Sequence, residues 1–343
     1  MSGAFPDFFG NSATAAALDN MVRQNRIPQT LLFVGAEGIG KATLARRFAA
    51  ALLGGADKIE LDDLSLPANL ELLAEREKLP SDKRADDPLL LASHPDFITL
   101  PPDGPLRQIS IQQTRLLKER SAFSPSKGQH RIFLIDRIDR ANEQAANSLL
   151  KLLEEPPAHL ILILTAENDY DLLPTIRSRS VSFSMHTLSA ADMQAFAKTR
   201  GMNAQDRRIP LAGGSPGVAA SMDLEIWDKR RERMLALLET AAHQSKFSDW
   251  IGHSEKISAS RGEKLEFYLK PLYGLLEDIL LLREGLDARN NPDLSPRLRR
   301  IAANSTFEWL RAAAARTDEL VEFSRRNVQK GIALDAFAAG LVE

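Results

Sequence analysis

A short apolar run, Leu31-Leu32-Phe33-Val34, leads directly into Gly35-Ala36-Glu37-Gly38-Ile39-Gly40-Lys41-Ala42-Thr43, and a helical pattern continues to Leu53 before Gly54-Gly55 stops it. No other stretch constrains the fold as strongly. A buried strand, a glycine-rich turn and a helix N-terminus in immediate succession aim backbone N–H groups at one point, where the helix end favours an anion. Lys41 can reach the terminal phosphates of a nucleotide held there. The bland alternative is a glycine-rich turn with an incidental lysine, and the strand and helix on either side weigh against it.

The rest of the N-terminal half repeats the alternation of strand and helix. Ser12 is placed to cap a first helix, 12–24, with Ala16, Leu18, Met21 and Val22 on its apolar side. Ile98 and Leu100 mark a second strand, residues 110–121 a helix, and Arg131-Ile132-Phe133-Leu134-Ile135-Asp136 a buried strand ending in a carboxylate. Asn142 is a good cap for a helix that Pro156-Pro157 stops, and 160–164 is a further apolar strand. Strands alternating with helices predict an α/β fold with a parallel sheet. Residues 56–92 are polar and proline-punctuated, and are expected to be an insertion with one helix near 70–79. After about Met185 the strand signal fades. Boundaries near 185 and 223 divide the chain into an α/β base (1–185), a small helical segment (186–222) and a mostly helical third (223–343). In the last of these, Ser305 is placed to cap a helix with Phe307, Leu310, Ala314, Leu320 and Val321 on one stripe.

Composition excludes several functions. With Lys+Arg 44 against Asp+Glu 46, the formal net charge is -2, whereas a protein that binds DNA by itself usually carries a basic excess. Any DNA contact is therefore expected to be local or shared with partners. With Cys 0 there are no disulfides, thiolate zinc sites or cysteine nucleophiles. No signal pattern opens the chain and no run approaches the roughly 18 apolar residues of a membrane span, so a cytoplasmic protein with no membrane partner is expected.

The phosphate loop is imperfect in two places. The residue after its lysine should carry the hydroxyl that holds Mg²⁺, but it is Ala42, with Thr43 one place late. Asp136, at the end of its strand, is positioned to help hold the metal. The residue after it is Arg137, whose guanidinium stays charged and cannot serve as a base. Asp139 lies three residues on and is a poor substitute. Two losses at the same reaction argue against hydrolysis. The glycines Gly35, Gly38 and Gly40, with Lys41, Thr43 and Asp136, leave weak ATP, ADP or phosphate binding open. Thr165 and Asn168 stand where a strand-end polar residue either senses phosphate or simply caps the strand.

Further stretches carry a resemblance. Phe8-Phe9-Gly10, Ser93-His94-Pro95-Asp96-Phe97 and Phe133-Leu134-Ile135-Asp136 resemble the bacterial clamp-loader subunits of DNA polymerase III, of the AAA+ type. So does Asn142-Glu143-Gln144-Ala145-Ala146-Asn147-Ser148-Leu149-Leu150-Lys151-Leu152-Leu153-Glu154-Glu155-Pro156-Pro157, the most specific of the matches. Leu173-Pro174-Thr175-Ile176-Arg177-Ser178-Arg179-Ser180 resembles the family's Ser-Arg-Cys motif, with Ser180 in place of the cysteine. The resemblance is strong over about 5–185 and thin beyond about 220.

It implies an AAA+ base, a helical lid and a helical collar that joins five subunits in a ring. Gamma/tau-type and delta-type subunits would be the neighbours, and the ring would place a sliding clamp on primed DNA. It also implies that Arg179 is an arginine finger acting in trans on a neighbour's ATP, with Arg177 the weaker candidate and a plain surface arginine the alternative. Family members usually carry a four-cysteine zinc module after the loop helix, so here 56–92 must fold without zinc or stay mobile. The family's lid arginine is also missing, since Ser215 is followed by Pro216-Gly217-Val218. With Ala42 and Arg137, this favours the delta-prime branch over gamma/tau.

Rival functions are an active gamma/tau-like ATPase, a P-loop kinase or other small-molecule enzyme, and a stand-alone DNA-binding protein. A kinase leaves the helical third unexplained, and the charge balance disfavours the last. His94 is expected to be structural, and Arg297, Arg299 and Arg300 to be a solvated helix end or a contact with DNA or another subunit.

Overall fold

The computed structural model describes Phe5 and residues 7–260, 263–325 and 328–342. The chain divides into two compact units, Met1–Ser221 and Met222–Glu343.

In the first unit, α1 (Ser12–Gln24) leads to β1 (Thr30–Val34) and α2 (Lys41–Leu53). The insertion holds α3 (Ala56–Ile59), α4 (Pro67–Lys78) and α5 (Ser81–Asp86). Next come β2 (Leu91–His94), β3 (Phe97–Leu100), α6 (Ile111–Ser121), β4 (Arg131–Ile135), α7 (Glu143–Glu154) and β5 (Leu160–Ala166). The short α8 (Pro174–Arg177) and β6 (Val181–Ser184) precede a helical segment of α9 (Ala190–Thr199), α10 (Gln205–Ala212) and α11 (Pro216–Ser221).

The sheet order is β2-β3-β4-β5-β1-β6. Every neighbouring pair is parallel except β2 with β3, which is antiparallel at the edge. Alternate strand residues face opposite sides, as the two-residue period requires. Leu31, Phe33, Ile132, Leu134, Ile161 and Ile163 pack with Leu44 and Phe48 of α2. Leu32, Phe133, Ile135, Leu162 and Leu164 pack on the other face with Leu117 of α6 and Leu149 of α7. Both faces are covered, which is why these strands are continuous apolar runs rather than alternating ones.

Several expectations need correction. The residue preceding α1 is Asn11, not Ser12, and its side chain does not cap the helix. Its amide instead brackets His186, donating to the carbonyl at 3.0 Å and accepting from the N–H at 2.7 Å. The insertion contains three helices rather than one, and it is ordered by charge. Arg76, 5% exposed, donates to the two carboxylate oxygens of Asp103 at 3.0 and 2.8 Å and to the Asp87 carbonyl at 2.7 Å. Edge strands β2 and β6 were not anticipated. Each is only four residues long, and β6 is half-exposed, so neither leaves an apolar run in the sequence. His94 is buried, and its Nδ1 accepts the Asp96 N–H at 3.2 Å.

The second unit contains α12 (Leu224–Ala241), α13 (Phe247–Ala259), α14 (Glu266–Arg283), α15 (Ser295–Asn304), α16 (Phe307–Arg325) and α17 (Lys330–Val342). They share one core that includes Leu235, Leu238, Trp250, Tyr268, Leu272, Ile279, Leu298 and Phe337. Trp250 satisfies its indole N–H on Asp335 at 2.7 Å. Thr306, not Ser305, meets the first turn of α16, where its hydroxyl accepts the Trp309 N–H at 3.1 Å. The Ser305 hydroxyl donates back to Ile301 O. The buried stripe of α16 is Leu310, Ala313, Thr317 and Leu320, so Phe307, 55% exposed, and Ala314 fall outside it. Arg297 is not a free cation, because it grips Glu239 through two hydrogen bonds of 2.8 Å and also pairs with Glu232. Among the described residues, no helix is long and apolar enough to cross a membrane.

Candidate functional site

The parallel strands bring the C-terminal ends of β1, β4 and β5 to one edge of the sheet, where open α/β folds place their ligands. The Gly35 N–H donates to Ala166 O at 3.1 Å, which ties the start of the loop to the end of β5. Gly35 has φ 153, and a Cβ there would lie 2.2 Å from the Met185 carbonyl oxygen, so only glycine fits.

Lys41 opens α2 and is 8% exposed. Its ammonium donates to Gly35 O at 2.6 Å and Ala36 O at 2.8 Å, so the loop lysine is bound by the loop's own carbonyls. Burial lowers its pKa, against the opposing pull of Glu167 and Asp136.

Asp136 and Thr165 form the next layer. The buried Thr165 hydroxyl donates to the Asp136 carboxylate at 2.6 Å and accepts the Arg137 N–H at 2.8 Å. These two bonds hold Arg137 in the left-handed region at φ 58, a conformation that costs a side-chain-bearing residue energy. The guanidinium of Arg137 pairs with Glu167, and with Glu37 of the loop at 3.4 Å. Burial disfavours its charge, yet Glu167, Glu37, Asp139 and Asp136 together hold its pKa above the ordinary value. The pKa of Asp139 is also raised, by burial first and then by Glu167, which here disfavours the charged form.

The donor set fits a phosphate better than a metal–nucleotide complex. Gly38, Gly40 and Lys41 form a loop and lysine of the right kind. Ala42 brings no hydroxyl, and Thr43 is about 100° further round the helix. Asp136 is a suitable carboxylate but already accepts the Thr165 hydroxyl. Where a base would stand there is an ion-paired arginine. Among the described residues, no group of three or more His, Cys, Asp or Glu side chains could hold a metal ion.

Arg179 belongs to a different place. Ile176 is buried and anchors the short α8, and the two arginines that follow diverge. Arg177 lies 5.5 Å from the Tyr170 ring centroid and 3.6 Å from Asp169. Arg179 donates to Thr175 O at 3.1 Å and pairs with Glu154, at the end of α7, at 3.0 Å. None of these partners belongs to the phosphate loop. Asn142 caps α7 as expected, accepting the Ala145 N–H at 2.8 Å, so the helix that carries Glu154 has a defined start.

Two residues of the cluster escaped sequence reasoning, Glu37 and Glu167. The available signal was charge: an arginine where a carboxylate is normal asks for acidic partners, and Glu167 directly follows the apolar run of β5.

Comparison with known proteins gives a consistent grouping. Residues 81–189 match the family described as DNA polymerase III, delta subunit. The delta' subunit of DNA polymerase III from Pseudomonas aeruginosa is 31% identical over 189 residues, 54% of this chain and 52% of that one. The gamma subunit from Buchnera aphidicola subsp. Schizaphis graminum is 30% identical over 196 residues, 57% of this chain and 48% of that one. The chain thus spans about half the length of these two relatives. The tau subunit of Escherichia coli is 26% identical over 190 residues, 55% of this chain and 26% of that one.

Proposed function

We propose, for a chain whose N-terminal half groups with the clamp-loader subunits of DNA polymerase III, that it is a non-hydrolysing subunit of the delta-prime type. In this reading it sits in a pentameric ring with gamma/tau-type and delta-type subunits. It offers Arg179 to a neighbour's ATP and helps place the sliding clamp on primed DNA. Its relatives include both delta' and gamma/tau proteins at similar identity, so the choice between them rests on the site residues.

The observation that carries the reading is Arg137. A base at that position would have to accept a proton from the attacking water, and a guanidinium cannot. Arg137 is also committed to Glu37 and Glu167. Ala42 removes the metal's hydroxyl independently, and Pro216-Gly217-Val218 brings no lid arginine. The second unit supports a collar role, because it is all helix with a core of its own. The second reading, a gamma/tau-like ATPase, draws on the retained loop, Lys41 and Asp136. Phosphate release from the purified chain decides between them. Background release is expected, and turnover that Lys41→Ala abolishes would establish the ATPase instead.

A further inference from the structure

Helix α7 ends on an acid. Its last residue is Glu154, and Glu155 follows. The carbonyls at a helix C-terminus carry partial negative charge, so a carboxylate there is disfavoured and a cation favoured. The cation that meets Glu154 comes from outside the helix. Arg179, just past α8, places one terminal nitrogen 3.0 Å from the Glu154 Oε1. Its other terminal nitrogen donates to Thr175 O at 3.1 Å.

One core fixes both backbones: Leu152 and Leu153 of α7 are buried with Leu172 and with Ile176 of α8. The pair itself is open to water, with side chains 36% and 45% exposed. An exposed ion pair is weak. Phosphate oxygens accept from a guanidinium through two parallel, charge-assisted hydrogen bonds. A phosphate brought to this edge can therefore take Arg179 from Glu154 by a movement of side chains alone. Arg177 is tied differently. Asp169, at 3.6 Å, and the Tyr170 ring, at 5.5 Å, both belong to the loop between β5 and α8.

We propose that Glu154 is the resident counter-ion of Arg179, a carboxylate that holds the guanidinium at rest and yields it to a neighbouring subunit's phosphate. This rests on the reading that Arg179 serves such a phosphate, and it adds the residue that restrains it. Glu154 acts through Arg179 and is a positioning residue. Its charge sets how readily the arginine leaves, while the shared core keeps the arginine's backbone in place.

Two measurements test it. The first uses the full chain alone and follows the modification of individual arginines by phenylglyoxal, mapped by mass spectrometry. Glu154→Gln should speed modification of Arg179 by about two- to fivefold, the range of an exposed ion pair, and leave Arg177 unchanged. No change at Arg179, or the same change at Arg177, overturns the proposal. The second measures ATPase against ATP concentration in a reconstituted loader. Glu154→Gln should raise kcat/KM at the adjoining site by up to about fivefold, and the gain should vanish when Arg179→Ala is added. A fall in kcat/KM would mean that Glu154 aims the arginine rather than restrains it, and overturns the proposal. The two failures are distinguishable. A ring indifferent to Arg179→Ala overturns the reading, whereas a ring that responds to Arg179→Ala but not to Glu154→Gln overturns the proposal alone.

Discussion

Two arginine-bearing regions of the first unit are built in opposite ways. Around the phosphate loop the charged groups are turned inward: Lys41 binds Gly35 and Ala36, Thr165 binds Asp136, and Arg137 lies between Glu37 and Glu167. At the end of α8, Arg177 and Arg179 stand at the surface, with side chains 40% and 36% exposed and partnered by part-exposed carboxylates. In the first region the Lys41 and Thr165 interactions are part-buried and define the local fold, while the Arg137 pairs reach the surface through Glu37. Those in the second are screened and easily exchanged for a better anion. The proposed action on a neighbour's site draws on this contrast: the loop's lysine is bound by the loop's own carbonyls, while Arg179 stands at the surface with one carboxylate partner.

Stability measurements can break this contrast. The largest effect is expected from Lys41→Ala, which removes two part-buried hydrogen bonds from a charged donor and should cost about 2 kcal/mol in chemical denaturation, with no nucleotide present. A loss within about 0.5 kcal/mol, the range of an ordinary surface change, would mean the lysine is idle until a ligand arrives.

The same lysine gives a pH signature. Its folded pKa lies below the unfolded value of about 10.4, so its contribution is fully present above that value and is lost as pH falls through the lowered folded pKa. Within that window wild-type stability should rise with pH, and Lys41→Met should flatten the slope. An unchanged slope would contradict the burial of the ammonium.

Next in size is a paired substitution at Arg137. Alanine loses the ion pairs and keeps the left-handed strain, while glycine loses the same pairs and removes the strain. Arg137→Gly should therefore be more stable than Arg137→Ala by about 1 kcal/mol. Equal stability would mean that Thr165 and Asp136 do not impose the backbone shape. The smallest effect is expected at the edge, where Arg179→Ala should change stability by less than about 0.5 kcal/mol. A larger loss would make the Glu154 pair a structural tie and weaken the contrast.

Much of the first region was legible in the sequence because its signals are local. The apolar run before Gly35, the carboxylate after Ile135 and the cap at Asn142 each announce an element within a few residues. The pairing of Arg137 with Glu37 and Glu167 was not legible, because those residues are 100 and 30 positions away and meet only through the sheet order. Of the three helices of the insertion, α4 was expected near 70–79, and α3 and α5 were missed. They are only four and six residues long and leave little hydrophobic periodicity to follow. In α16 the periodicity was visible, with Leu310 and Leu320 placed correctly, but Ala314 was taken for Ala313, since small alanines on every side blur which face is apolar. Arg179 was singled out over Arg177 by motif resemblance alone, since the sequence does not show that the two have different partners.

The central claim, that this chain acts through its edge on a neighbouring site, is tested most directly in a reconstituted loader with Arg179→Ala. An arginine that stabilises the charge shifting between transferring and leaving phosphates is worth roughly 10³–10⁵ in rate at its own site. Only the one site facing this subunit would lose it, so the total falls by a fraction. DNA- and clamp-stimulated ATPase should drop in the mutant ring, clamp loading should be impaired, and gel filtration should show an intact complex. Arg177→Ala, the internal control, should have the smaller effect. Unchanged ATPase and loading in a fully assembled Arg179→Ala ring would contradict the account and leave Arg179 an ordinary surface arginine.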